Sequence, residues 1–253
     1  MLKQMTLSRK IAYILESLIS VVGIVLLVLT ICGLRQDYIP KGSQYSSALV
    51  ALALGVAVFA IERIFKYEFP LVLHAIVYSY VLLSVVIGSG VGVFRMVNWY
   101  DKILHGLLGY VLCILAMHIA IKCKIWDKSF AGNIWIMFAI SMAYASIWEI
   151  FEYLCDQFLG QDMQQGASLT DTMLDMISHF GVTILFLIHY IIDAKTKLNL
   201  GMSFMAKNLA TGGSLRNKNK EIAIPQDVVI GDASIANADS NECNANENIE
   251  EKN

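Results

Sequence analysis

The sequence is poor in proline and in charge. Only three prolines occur in 253 residues, and Asp, Glu, Lys and Arg together make up 16% against 57% hydrophobic residues. That balance excludes an ordinary soluble domain, in which about a quarter of the residues are charged. No clustered basic face is present, so nucleic acid is excluded as a partner. Cys32, Cys113, Cys123, Cys155 and Cys243 form no CxxC pair and no regular framework, which argues against a disulfide scaffold and a zinc knuckle alike. There is no internal repeat and no pair of Gly/Pro-broken apolar segments of the kind that marks many transporters. "GSGVG" at 88–92 has neither a preceding strand nor a following Lys in register, which excludes a phosphate loop and leaves small residues near a helix end.

What the chain has instead is long apolar runs. A helix rising about 1.5 Å per residue needs roughly 20 residues to cross ~30 Å of hydrocarbon. Six runs reach that length, at 11–34, 46–65, 71–94, 100–121, 134–158 and 169–192. The first follows Lys3, Arg9 and Lys10, but it is too long for a cleaved leader and no A-x-A site follows it. "LTIC" at 29–32 is similar to a lipoprotein box, yet Ile31 stands where a small residue is needed, so the run is read as a retained span. The expected fold is all-α: a polytopic membrane bundle of about six transmembrane helices over 1–200. A cytoplasmic, polar and acidic tail at 201–253 lacks helical period and is expected to be disordered.

Basic residues fall unevenly around these runs. Arg63 and Lys66 follow the second, Lys122, Lys124 and Lys128 the fourth, and a cluster from Lys195 to Lys220 the sixth. The opposite loops hold only Arg35, Lys41, Arg95 and Lys102. The positive-inside rule then places both termini in the cytoplasm, with the lipid bilayer as the one partner the sequence names.

Acidic residues inside the spans are the unusual feature. In "SIWEIFEYLCDQF", Glu149, Glu152 and Asp156 share one helical stripe. In "SLTDTMLDMISHFG", Asp171, Asp175 and His179 line another, and in "WYDKILHGLLGY" Asp101 and His105 lie one turn apart. Each ionised carboxylate at the membrane centre costs about 2.5–3.5 kcal/mol on insertion scales, so their concentration calls for a partner. Asp171, three residues after Ser168, fits a capping box, whereas Asp175 and His179 lie too deep for capping. Gly106 and Gly109 would let the fourth span approach a neighbour closely. Alternating span direction brings these groups to one depth in the extracytoplasmic half.

Carboxylates with imidazoles suit Mg, Mn, Zn or non-haem Fe, with Asp175, Glu149, Glu152, His105 and His179 as preferred ligands. The same crowding of carboxylates also suits proton holding or relay. Glu16 and His74 read as structural groups, Glu62 with Arg63 as an interfacial pair, and His118 and His189 as interfacial.

"ERIFKYEFP" from Glu62, "WYDKILHGLLGY" from Trp99, "WEIFEYLCDQF" from Trp148 and "DTMLDM" from Asp171 resemble, in this order, the YjdF-type family of bacterial inner-membrane proteins over roughly 11–195. A fainter likeness joins "DKILHGLLGY" and the later "E…DTMLD…G" order to VanZ-like membrane proteins, associated with glycopeptide resistance and the cell envelope. There Asn is frequent where His179 stands. The resemblance implies a six-helix bacterial membrane protein and supplies no substrate. Three functions follow for testing: divalent-ion chemistry on a lipid or envelope substrate, cation- or proton-coupled transport, and a non-catalytic envelope or resistance component.

Overall fold

A computed structural model describes residues 7–35, 41–65, 67–126, 129–160, 163–164, 168–196, 198 and 200–211. The expected disordered tail, from 212 onward, lies outside them. The fold is all-α, with six helices long and apolar enough to cross a membrane. These are α1 (Leu7–Ile31), α2 (Lys41–Phe65), α3 (Leu71–Val81, continued to Gly90 as a π-helix), α5 (Tyr100–Lys122), α6 (Phe130–Leu159) and α7 (Leu169–Lys195). Short α4 (Val93–Met96) joins α3 to α5, and α8 (Met202–Thr211) follows α7.

Local chemistry sets the ends. Pro70, with φ −63°, precedes α3, where its missing N–H costs nothing. Ser129 caps α6 by accepting from the Gly132 N–H at 3.1 Å, and Gly160 closes that helix in the left-handed region. "GSGVG" is where α3 widens and stops: Gly88 packs against the Phe94 ring, and Gly92 turns the chain at φ +89°.

The helices pack as two groups. α1, α2 and α3 form one, around Ile19, Tyr78 and Val81. α5, α6 and α7 form the other, with α5 the most enclosed, around Cys113, Met117, Met137, Phe186 and Tyr190. Close approach depends on glycine: a Cβ on Gly109 would lie 2.7 Å from the His179 carbonyl oxygen, and one on Gly55 would lie 2.8 Å from the Ser20 nitrogen. α8 seats Met202, Ala206 and Leu209 on the second group, so packed helix runs past residue 200 to Thr211.

Contacts fix the two ends of the bundle. At one, Arg35 after α1 donates to the Gln44 carbonyl of α2 at 2.6 Å and to the Gly90 carbonyl of α3, and Tyr100 of α5 donates to the Leu83 carbonyl at 2.9 Å. At the other, Tyr67 before α3 meets His118 near the end of α5 at 2.9 Å. Burial and the Glu62 carboxylate push the Tyr67 phenol up from its ordinary value, so it stays protonated.

Candidate functional site

The starts of α5 and α7 and the outgoing end of α6 meet at the Arg35 end. Asp101 and His105 come from α5, Glu149 and Glu152 from α6, Asp171 and Asp175 from α7, and all six are buried. His105 is the hub. Its Nε2 is 3.6 Å from Asp101 Oδ1 and 3.9 Å from Asp175 Oδ1, and its Nδ1 is 3.7 Å from Glu149 Oε1. Asp101, His105 and Asp175 form one set, and His105, Glu149 and Glu152 a second, each with donor atoms within 4.8 Å of one another.

Lys102 enters this cluster, although its place near a span end marks it in sequence as a loop cation. Its ammonium contacts Asp101 at 3.1 Å, Asp175 at 2.9 Å and Asp171. Asp171 is therefore an ion-pair partner: the Ser168 side chain makes no cap bond, contrary to the capping-box expectation. Were Asp101, Glu149, Glu152, Asp171 and Asp175 all ionised, the one ammonium, which contacts three of them, would offset a single charge. Glu152 accepts from the Trp148 indole at 2.8 Å. Glu149 has both oxygens buried and without a hydrogen-bond partner among the described residues, at 6% exposure.

Two expected members sit elsewhere. Asp156 of α6 accepts from the backbone N–H groups of Met163 at 2.7 Å and Gln164 at 2.9 Å, which fixes the loop after the helix. The acidic stripe continues to that residue, but the chain turns back at Gly160 and supplies donors there first. His179 lies one layer deeper and fully buried, with Nε2 at 3.1 Å from the Ser141 carbonyl and 2.9 Å from its hydroxyl. Ser141 also meets Thr183 at 2.9 Å. Neither hydroxyl stands out in sequence, because Ser and Thr in a span commonly bond their own helix.

The opposite end holds a second buried group that sequence reading treats as structural. Glu62 pairs with Arg9 of α1 and not with its exposed neighbour Arg63, and it also meets His74 at 3.1 Å. Glu16 faces the other nitrogen of His74 at 3.5 Å.

Chemically, separations of 3.6–3.9 Å between donor atoms exceed hydrogen bonds. They approach the spacing of two ligands around a small ion held at about 2.0–2.2 Å from each. Either set can therefore converge on one cation with little motion, but not both on the same one, because they use opposite nitrogens of the His105 ring.

A family model described as predicted membrane protein (DUF2238) matches residues 17–195, the stretch holding both polar groups except Arg9 and Glu16. An uncharacterized protein of Thermotoga maritima is 29% identical over 124 residues, which are 49% of this chain and 64% of that protein. The chain thus spans less than two thirds of that relative's length. No solved structure matches.

Proposed function

The chain belongs to the DUF2238 family of predicted membrane proteins, and from that premise we propose that its α5–α6–α7 cluster binds a divalent cation and uses it on a lipid or envelope substrate. The observation that carries this reading is Glu149, a buried carboxylate whose oxygens reach no cation and no hydrogen-bond geometry among the described residues, with only the Thr172 hydroxyl within reach, facing His105 and flanked by further acids. Burying such a group is costly unless a cation meets it. Lys102 occupies the Asp101–Asp171–Asp175 side, which leaves the His105–Glu149–Glu152 side for the ion. Imidazole plus carboxylates suits Mg, Mn, Zn or Fe. Held by His105, Glu149 and Glu152, such an ion would supply polarisation of a phosphoryl or carbonyl oxygen, and Asp175, outside that ligand set, would take up the proton of the attacking group.

The uneven Lys and Arg distribution supports a bacterial plasma-membrane location with both termini in the cytoplasm, which puts the cluster on the outward side. A helical unit that runs through α8 to Thr211, followed by a polar and acidic tail, fits the composition of the chain's last forty or so residues. Metal analysis of the detergent-purified chain tests the reading. About one divalent ion per chain, lost in Glu149→Gln and Glu152→Gln variants that remain folded, is the expected result. A native chain that carries no ion, and gains no thermal stability from any of the four, refutes it.

A further inference from the structure

The second polar group has its own logic. Glu16 from α1, Glu62 from α2 and His74 from α3 are all buried, at 5%, 4% and 1% exposure. Glu62 is saturated: its Oε1 accepts from Arg9 Nη1 at 2.8 Å and from the Phe69 N–H at 2.7 Å and lies 3.1 Å from His74 Nε2, while Oε2 takes the other Arg9 nitrogen. An oxygen surrounded by donors is an ionised acceptor, so Nε2 carries the ring proton that points to Glu62. The remaining ring nitrogen, Nδ1, faces Glu16 Oε1 at 3.5 Å, and neither atom has a hydrogen-bond partner.

A neutral imidazole and an ionised Glu16 would oppose two lone pairs at that distance in a buried site, which is costly on both sides. One added hydrogen nucleus cures both defects, whether it resides on the carboxyl or on the ring. We propose that the Glu16–His74 pair is a proton-binding site, separate from the acidic cluster and at the opposite end of the bundle. Charge supports a proton over a metal. With Glu62 matched by Arg9, one proton makes the Glu16–His74 pair neutral, whereas a divalent ion would leave one net positive charge buried.

The other groups around the pair are accounted for. On α1, Arg9 lies on the Tyr13 ring at 4.8 Å. Tyr78 of α3 stacks on His74 at 6.1 Å, between centroids, and its hydroxyl is within reach of the Glu16 carboxyl, while His74 Nδ1 has no such donor. His118 of α5 is engaged by Tyr67, and the Lys122 ammonium lies 5.8 Å from the Tyr67 ring. The pair joins α1 to α3, so the bound proton is part of how those helices hold together, and its loss leaves a net negative charge between them.

The test uses the full-length chain in lipid bilayers with ¹⁵N-labelled histidine, its five histidines resolved by a His74→Gln spectrum. At neutral pH the native His74 is expected to show Nδ1 either protonated or as a strong hydrogen-bond acceptor, and to revert to a bare Nδ1 in Glu16→Leu, which offers no donor. The native chain should also bind one more proton than that variant. A bare Nδ1 in the native chain overturns the proposal without any variant. So does an unchanged His74 spectrum in Glu16→Leu. A stoichiometric metal that persists in Glu149→Gln but is lost in Glu16→Leu also overturns it, by making the site metallic. None of these outcomes depends on the acidic cluster holding an ion.

Discussion

Replacing Lys102 by Met removes the one ammonium from the acidic cluster while keeping most of the side-chain volume. Three carboxylates contact that ammonium, which is only 18% exposed, so the loss acts in a largely desolvated setting. Breaking such a network from one side costs about 3–5 kcal/mol. Metal affinity should move the opposite way. Lys102 Nζ lies 2.9 Å from Asp175, whose carboxylate is 3.9 Å from His105, so an ion on the far side of that ring would sit within about 11 Å of the ammonium. At an effective dielectric of about 20, the repulsion between a unit and a double charge there is at least ~3 kcal/mol. Poorer ordering of the carboxylates offsets part of the relief, yet half of it is already about tenfold in affinity. The expected outcome is a variant less stable than the native chain in chelator, with at least tenfold tighter Mn binding and a larger upward shift of Tm by Mn. Calorimetry and thermal unfolding in detergent measure the two effects. A variant that folds and binds Mn no more tightly than the native chain would refute the reasoning, because the ammonium would then not be competing for an ion's place.

Three further outcomes are expected. Gly109→Ala should destabilise by about 1–3 kcal/mol, since its Cβ meets backbone of α7, while Gly181→Ala, with nothing within 4 Å, should be near neutral in the same unfolding assay. Asp156→Asn should cost about 1–2 kcal/mol through weaker bonds to the Met163 and Gln164 N–H groups and leave ion content unchanged by elemental analysis. Stripping divalent ions from the native chain should remove about 2.7 kcal/mol of stability relative to ion at a hundredfold excess over its Kd, and should remove none from Glu149→Gln.

The six spans were legible because apolar length is a local property: the expected 100–121 and 169–192 are found as Tyr100–Lys122 and Leu169–Lys195. Periodicity likewise placed Glu149 with Glu152 and Asp175 with Asp101, since a helical stripe and alternating direction suffice for that. It failed where a tertiary choice decides between equally local options. Lys102 is one residue from Asp101 and looked interfacial, but its flexible stem lets the ammonium turn inward toward acids 69 and 73 positions away. Asp156 continues the acidic stripe, and the loop that captures it has no periodic signal. Glu62 stands beside Arg63 in sequence, yet adjacent helical residues point to different faces, and Arg9 on α1 is the guanidinium that its own face meets.

The region between the two polar ends bears on transport. From the acidic cluster a polar path leads inward through His179, Ser141 and Thr183, reaching Cys113, whose thiol lies 4.0 Å from the Met137 carbonyl. Beyond it α5 and α7 present Met117, Phe186 and Leu187, all buried and apolar, before the Tyr67–His118 contact is reached. A cation crossing that stretch would lose its ligands where desolvation is most expensive, so transport requires this core to open. α5 is the most enclosed helix of the bundle, and Gly106 and Gly109 press it against α7. Opening would therefore break the closest helix packing in the second group. Local ion chemistry at one end, with a proton held independently at the other, needs no such rearrangement and is the reading the packing favours.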